Sequence, residues 1–313
     1  MTWPSAWRPP DLKPRYTFRA MTKIPSVEIF SRVPARLGEG PLWHPQRQSL
    51  WWVDITGQKF FEAKLTGEAP RTLDCAQMIG AVVATQRGGL LAALHDGIHL
   101  VDPETGRTRP FASAPLHDAK EFRFNDGKVD PRGRFWAGTT ALDFRRGQSR
   151  LYRFAGDRSA TVMQERVSIS NGLAWSPDAK TLYYIDSPTG VVQAFAFDLE
   201  EGALGPSRVA IPLGEGEGLP DGCCMDAEGC LWIGHWGGSK VTRWEPRTGR
   251  LLATVPVPVR NVTSCAFGGP RLDQLFITTA RDEENKSPEP EAGLVFRVEP
   301  GVTGQPVASF VET

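Results

Sequence analysis

The sequence lacks net charge: 36 Lys and Arg residues balance 36 Asp and Glu. Such a chain offers no basic surface for nucleic acid and no acidic tail for a basic partner. Cysteines are few: Cys75, Cys223, Cys224, Cys230 and Cys265. An odd count without regular spacing argues against a disulfide framework and for reduced thiols in a cytoplasmic protein. No CxxC pair occurs, which removes the usual structural zinc site. No apolar run approaches a membrane span, and no GxSxG turn presents a serine nucleophile. The opening stretch MTWPSAWRPPDLKPRYTFRA has no apolar core of signal-peptide length. Residues 1–20, rich in Pro and Arg, read as a flexible leader. The Asn-Val-Thr triplet at Asn261 then reads as a chance glycosylation match.

Helical periodicity is also nearly missing, and what replaces it is a repeat. There are 32 Gly, 26 Pro, 10 Trp and 16 Phe, a composition suited to short strands joined by turns. Six segments share one grammar: a small or polar start, an apolar strand, a turn, then an aromatic-rich strand. They begin at Glu39, Gly80, Asn125, Asn171, Asp221 and Thr263. Their second-strand anchors are Trp52, Ala92, Trp136, Tyr184, Trp232 and Phe276, recurring every ~40 to 48 residues, as four-stranded propeller blades do. The expectation is an all-β protein with a single domain over residues 21–313, a six-bladed β-propeller with a central channel. The segment SVEIFSRV near Ser26 is expected to pair with the C-terminal VASFVET region and close the ring, removing a sheet edge.

Polar residues recur at one phase of this repeat. Glu39 and Asn171 lie 13 positions before their anchors, Asn125 and Asp221 lie 11 before theirs. The first strand of each blade lines the channel, so equal phases converge on one end of one axis. Gly80 and Thr263 hold the phase in the other two blades and leave room. Asn and Asp at strand starts are often turn residues bonding local backbone. Four oxygen-bearing side chains in phase, one of them Glu, point instead to a hard-cation site. An all-oxygen set favours Ca²⁺, Mg²⁺ or Mn²⁺ over structural zinc. His44 and His235 fall off that phase and read as surface or packing residues. Of the Cys223–Cys224 pair, alternation sends one toward the channel and one toward the next strand. Within RFNDGKVDPRGRFWAGT, Asp126 reads as a brace for local backbone and Lys128 as an outward or structural residue. The acidic run after Arg281 reads as a solvated loop or a lid over the channel mouth.

Five blocks carry a family resemblance: LGEGPLW at Leu37, RFNDGKVDPRGRFWAGT at Arg123, SNGLAWSPD at Ser170, PDG at Pro220 and TSCAFGG at Thr263 with the TTARD that follows. In order and spacing the chain resembles the SMP-30/gluconolactonase/LRE (regucalcin-like) family. The resemblance implies a sugar-lactone hydrolase with one divalent cation: calcium first, with zinc, manganese, magnesium or iron(II) as alternatives. It implies Glu39, Asn171 and Asp221 as metal ligands, with Asn125 close by and Arg123 hydrogen-bonding the sugar. Asp143 falls where many relatives carry a substrate-contacting Glu. Asp221 is the candidate general base. The expected partner is a small sugar lactone, without nucleic acid or membrane, on a monomer or weak homo-oligomer. Two alternatives stand beside this: another propeller hydrolase, such as a phosphotriesterase or aryl esterase, and a non-catalytic calcium-binding propeller.

Overall fold

Short apolar runs broken by Gly, Pro and Asp turns resolve into strands, 24 of them among the described residues. The computed structural model describes residues 25–214, 216–281 and 289–313, so the leader and most of the acidic run after Arg281 lie outside the described residues. The strands form six four-stranded antiparallel sheets, each a blade. Blade three is representative: Phe122–Val129 innermost, then Phe135–Ala141, Ser149–Phe154 and Ala160–Val167. The innermost strands of the other blades are Gly38–His44, Ile79–Ala84, Ser170–Trp175, Leu219–Met225 and Val262–Gly268. The ring closes between blades six and one, where the Thr263 hydroxyl bonds to Gly38 O at 2.5 Å. The expected six-bladed propeller is therefore the observed fold.

The second-strand anchors, five of them aromatic, pack in the core of the ring. Trp52, Ala92, Trp136, Tyr184, Trp232 and Phe276 are all buried. Trp136 of blade three meets Trp175 of blade four edge-on at 5.9 Å, and Trp232 of blade five meets Phe267 of blade six at 5.8 Å. Truncating such a ring to Ala costs about 3–5 kcal/mol. Trp136 and Trp232 are also held by their indole N–H groups. Asp130 Oδ2 accepts from Trp136 Nε1 at 2.9 Å and from Arg134 Nε at 2.7 Å. Asp226 Oδ2 accepts from Trp232 Nε1 at 3.0 Å and from Arg243 Nε at 2.8 Å. The remaining oxygen of each carboxylate gathers backbone N–H groups of the turn. One Asp thus fixes both the turn after the innermost strand and the anchor of the next.

Ring closure departs from the sequence expectation. Glu28–Ser31 does become the outermost strand of blade six, but its partner is Val295–Val298, with Glu28 opposite Arg297 and Ile29 opposite Phe296. The contact is specific: Phe30 packs edge-on against Phe276 at 4.8 Å, and Arg297 bonds to Glu28 at 2.5 Å. The VASFVET region goes elsewhere. Residues 303–311 run beneath the ring at the end of the channel remote from Glu39. Gly304 N donates to Leu272 O and Ala227 N donates to Thr303 O, both at 2.8 Å. Phe310 N donates to Ala84 O at 2.8 Å, and Val311 N donates to Gly133 O at 2.9 Å. Phe310 is fully buried against Phe111. Gly133 permits this passage, since a Cβ there would lie 2.2 Å from Val311. A closed blade six needs no further strand, so the tail's apolar residues find their cover under blades two and three instead.

Candidate functional site

All six innermost strands slip register against their neighbours near their start. The slips fall between Glu39 and Leu42, Ile79 and Ala81, Phe124 and Asp126, Ser170 and Leu173, Pro220 and Cys223, and Val262 and Ser264. Each marks a β-bulge, which leaves a residue out of the ladder and re-aims its side chain. Asn125, Asn171 and Asp221 are such unpaired residues, and Glu39 directly precedes its bulge. The two other bulges hold Gly80 and Thr263, so five of the six phase positions lie in a bulge and Glu39, paired with Val53, lies at the edge of one.

The bulges bring these residues together at one mouth of the channel. Asn125 Nδ2 donates to Asn171 Oδ1 at 3.0 Å and to Ser170 O at 2.9 Å. Arg123 Nη1 donates to Asn125 Oδ1 at 2.7 Å. Asn171 Nδ2 donates to Ser187 Oγ at 2.7 Å. Glycines let the strands approach: a Cβ on Gly172 would lie 2.8 Å from Asp221 O, and one on Gly222 would lie 2.0 Å from Ser264 Oγ. Glu39, Arg123, Asn125, Asn171 and Asp221 are all buried.

Charge is concentrated here. Burial pushes the Glu39 carboxyl well above the usual carboxylate range, and the Asp221 and Asp126 carboxylates push it further. Asp221 is raised strongly by burial and then by Asp126, against a lowering pull from Arg123. Arg123 is itself brought down to about 10 by burial, opposed by Glu39 and Asp221. Three buried carboxylates thus share one guanidinium and the Lys128 ammonium, which lowers Asp126 against the effect of burial. Among the described residues no cluster of three or more His, Cys, Asp or Glu side chains forms a metal site. The candidate set is two carboxylates and an amide. Its chemistry fits a hard divalent cation: oxygen donors only, with buried negative charge in excess.

The structure places the other residues singled out in the sequence. Asp126 does brace backbone, accepting from Gly127 N at 2.7 Å, yet it also faces the shared charge of the mouth. Lys128 is not outward: it lines the channel and donates to Cys223 O of blade five at 2.5 Å, spanning from blade three. Cys224 lines the channel while Cys223 packs in the core, as alternation requires. Asp143 makes no bond to the buried side chains of the mouth. It lies in the exposed loop after Phe135–Ala141, its carboxylate taken by Arg145 at 2.9 Å. His44 and His235 are buried packing residues, His235 between Glu217 O and the Thr242 hydroxyl. Sequence reasoning also passed over Ser187, which no repeat phase marks.

Below the mouth the channel holds a cavity of about 430 Å³. Its walls include Trp43, Val82, Val129, Trp175 and Met225, and the tail residues from Gln305 to Ala308 contribute to its lining. No helix among the described residues is long and apolar enough to cross a membrane.

Residues 37–281 match the family model described as "SMP-30/Gluconolactonase/LRE-like region". Regucalcin of Danio rerio is 38% identical over 290 residues, covering 91% of this chain and 98% of that protein. Among solved structures, a calcium-binding protein, regucalcin, from Agrobacterium tumefaciens superposes with a TM-score of 0.85 at 28% identity, covering 92% of this chain and 97% of that one. A luciferin-regenerating enzyme superposes equally, with a TM-score of 0.85 at 28% identity over 92% of this chain and 99% of that one.

Proposed function

The chain belongs to the SMP-30/gluconolactonase/LRE-like family, and from that premise we propose that it hydrolyses lactones of sugar acids to the open aldonic acids. The observation that carries this reading is the bulged mouth, where Glu39, Asn171 and Asp221 converge beside the Arg123–Asn125 pair. A divalent cation, calcium first, would be held by Glu39, Asn171 and Asp221 and would supply Lewis-acid polarisation of the lactone carbonyl.

The side chains divide the remaining work. Arg123 spends one nitrogen on Asn125 and Phe124 O, which leaves guanidinium N–H groups for the hydroxyls of a polyol ring. Asn125 is clamped on both sides of its amide, so this pair is pre-organised and supplies orientation. Asp221 is the general base, taking a proton from the attacking water. Its burial beside Asp126 makes it a stronger base than an exposed carboxylate. The reaction needs no covalent nucleophile: water adds to the carbonyl, the C–O bond of the ring opens, and the proton returns to the leaving hydroxyl.

The test is elemental analysis of the purified protein together with a pH-drop assay on glucono-, galactono-, xylono- and arabinonolactone, before and after chelation. Metal-dependent acid release is expected. No release from any of these lactones, with each candidate cation restored, overturns the proposal. The calcium-binding relative favours a second reading, in which cation binding is itself the role. A protein that binds calcium stoichiometrically yet opens no lactone supports that one.

A further inference from the structure

The hydrogen bonds of the mouth form one chain with two fixed ends. The Arg123 guanidinium can only donate, and the Pro220 carbonyl can only accept. Between them the direction is determined. Arg123 donates to Asn125 Oδ1 at 2.7 Å, so Asn125 must present Nδ2 to Asn171 Oδ1 at 3.0 Å. Asn171 must then present Nδ2 to Ser187 Oγ at 2.7 Å, and the Ser187 hydroxyl donates onward to Pro220 O at 2.6 Å. Reversing either amide would set two donors or two acceptors face to face.

We propose that Ser187 is a positioning residue that fixes the Asn171 amide oxygen toward the cation and ties it to the strand start carrying Asp221. The inference rests on the reading that Glu39, Asn171 and Asp221 hold that cation. Ser187 lies outside the innermost strands, in the 3-10 turn Ser187–Thr189 that follows the second strand of blade four. The turn ends on Gly190 in the left-handed region, with φ at 67°. Its buried hydroxyl uses one lone pair for Asn171 and its only proton for Pro220, the residue before Asp221. One oxygen therefore couples two candidate ligands from neighbouring blades. Supporting contacts of this kind typically change metal affinity 10–100-fold when removed.

Calcium titration calorimetry on the chelated full chain tests this, comparing wild type with Ser187→Ala and Ser187→Thr. Ser187→Ala removes both bonds and Ser187→Thr keeps the hydroxyl. The expected result is calcium affinity weakened about 10–100-fold in Ser187→Ala and held within about threefold in Ser187→Thr. Melting temperatures of the three metal-free proteins should agree within a few degrees. In the lactone assay, Ser187→Ala should need more calcium for half-maximal rate while reaching the same rate at saturation. Wild-type affinity in Ser187→Ala overturns the inference and leaves the proposed function standing. An affinity loss that Ser187→Thr fails to rescue overturns it too. A wild-type chain that binds none of calcium, zinc, manganese and magnesium overturns the metal reading, and this inference with it.

Discussion

Asp221 and Asp226 stand at opposite ends of one innermost strand of blade five, both buried, and show two opposite uses of a carboxylate. Asp226 is saturated. It accepts from Arg243 Nε, Trp232 Nε1 and the backbone N–H groups of Glu228 and Cys230. Asp221 is set among like charges: Asp126 raises its pKa, and Asp221 in turn raises that of Glu39. Blade three repeats the pattern with Asp130 saturated by Arg134 and Trp136 and Asp126 in the crowded mouth. A saturated buried carboxylate reports on folding. A crowded one, on the proposed function, reports on the cation that the mouth would take up.

The sharpest test of that difference is truncation at the mouth. Asp221→Ala and Glu39→Ala should each lower kcat/KM for the preferred lactone by about 10⁴-fold, equivalent to ~5.5 kcal/mol of barrier. The metal-free variants should melt no lower than wild type, because each removes a repelling buried charge. Kinetics and thermal melts on the same preparations check both halves; a melt that collapses with activity would erase the distinction.

At the other end of the strand the outcome should invert. Asp226→Ala removes the acceptor of the buried Arg243 Nε and of the Trp232 N–H, leaving Arg243 its Glu228 partner, and breaking such a pair costs about 3–5 kcal/mol of stability. Denaturant unfolding should show that loss, while chain that remains folded keeps its turnover. A smaller loss accompanies Phe310→Ala, which empties the ring's place against Phe111 beneath the channel. About 3 kcal/mol is expected from the truncation, with lactone kinetics unchanged. A large kinetic effect there would mean that the tail reaches the chemistry and that the two ends are not separate.

The two ends were unequally legible in the sequence. The mouth could be read because a ring converts a repeat phase into a position, so Glu39, Asn171 and Asp221 converge although they lie far apart in the chain. The bulges could not be read: each inserts one extra residue into its innermost strand, and no change of residue pattern marks the place. Asp126 braces Gly127 as read and Lys128 takes the structural of its two readings, but their reach to the inner surface was hidden, because simple alternation fails across the bulge at Asn125. Ser187 belongs to a 3-10 turn that has no counterpart among the described residues of the other blades. The tail follows no repeat grammar at all. Its residues bond to Leu272, to Ala84 and Gln86, and to Gly133, in blades distant in sequence, and only the folded ring brings those partners within reach.

The smallest expected effect is the response of the mouth's charge to pH in the metal-free protein. Glu39, Asp126 and Asp221 all have folded pKa values raised above their unfolded ones by burial, Glu39 and Asp221 also by their like-charged neighbours. Between the ordinary carboxylate pKa of ~4 and the raised values, the folded chain holds more protons than the unfolded chain. These groups therefore contribute stability below the unfolded pKa that is lost as pH rises through the folded values. The chelated protein should melt a few degrees lower at neutral pH than in mild acid. Calcium should restore the difference at neutral pH, since binding to the folded state alone adds stability by mass action. Glu39→Gln should flatten the dependence by removing one of the charges. Thermal melts across this range, with and without calcium, decide the matter. A chelated wild type whose melting temperature rises toward neutrality would mean that the mouth's charges are already neutralised within the chain, and the contrast between Asp221 and Asp226 would lose its physical basis.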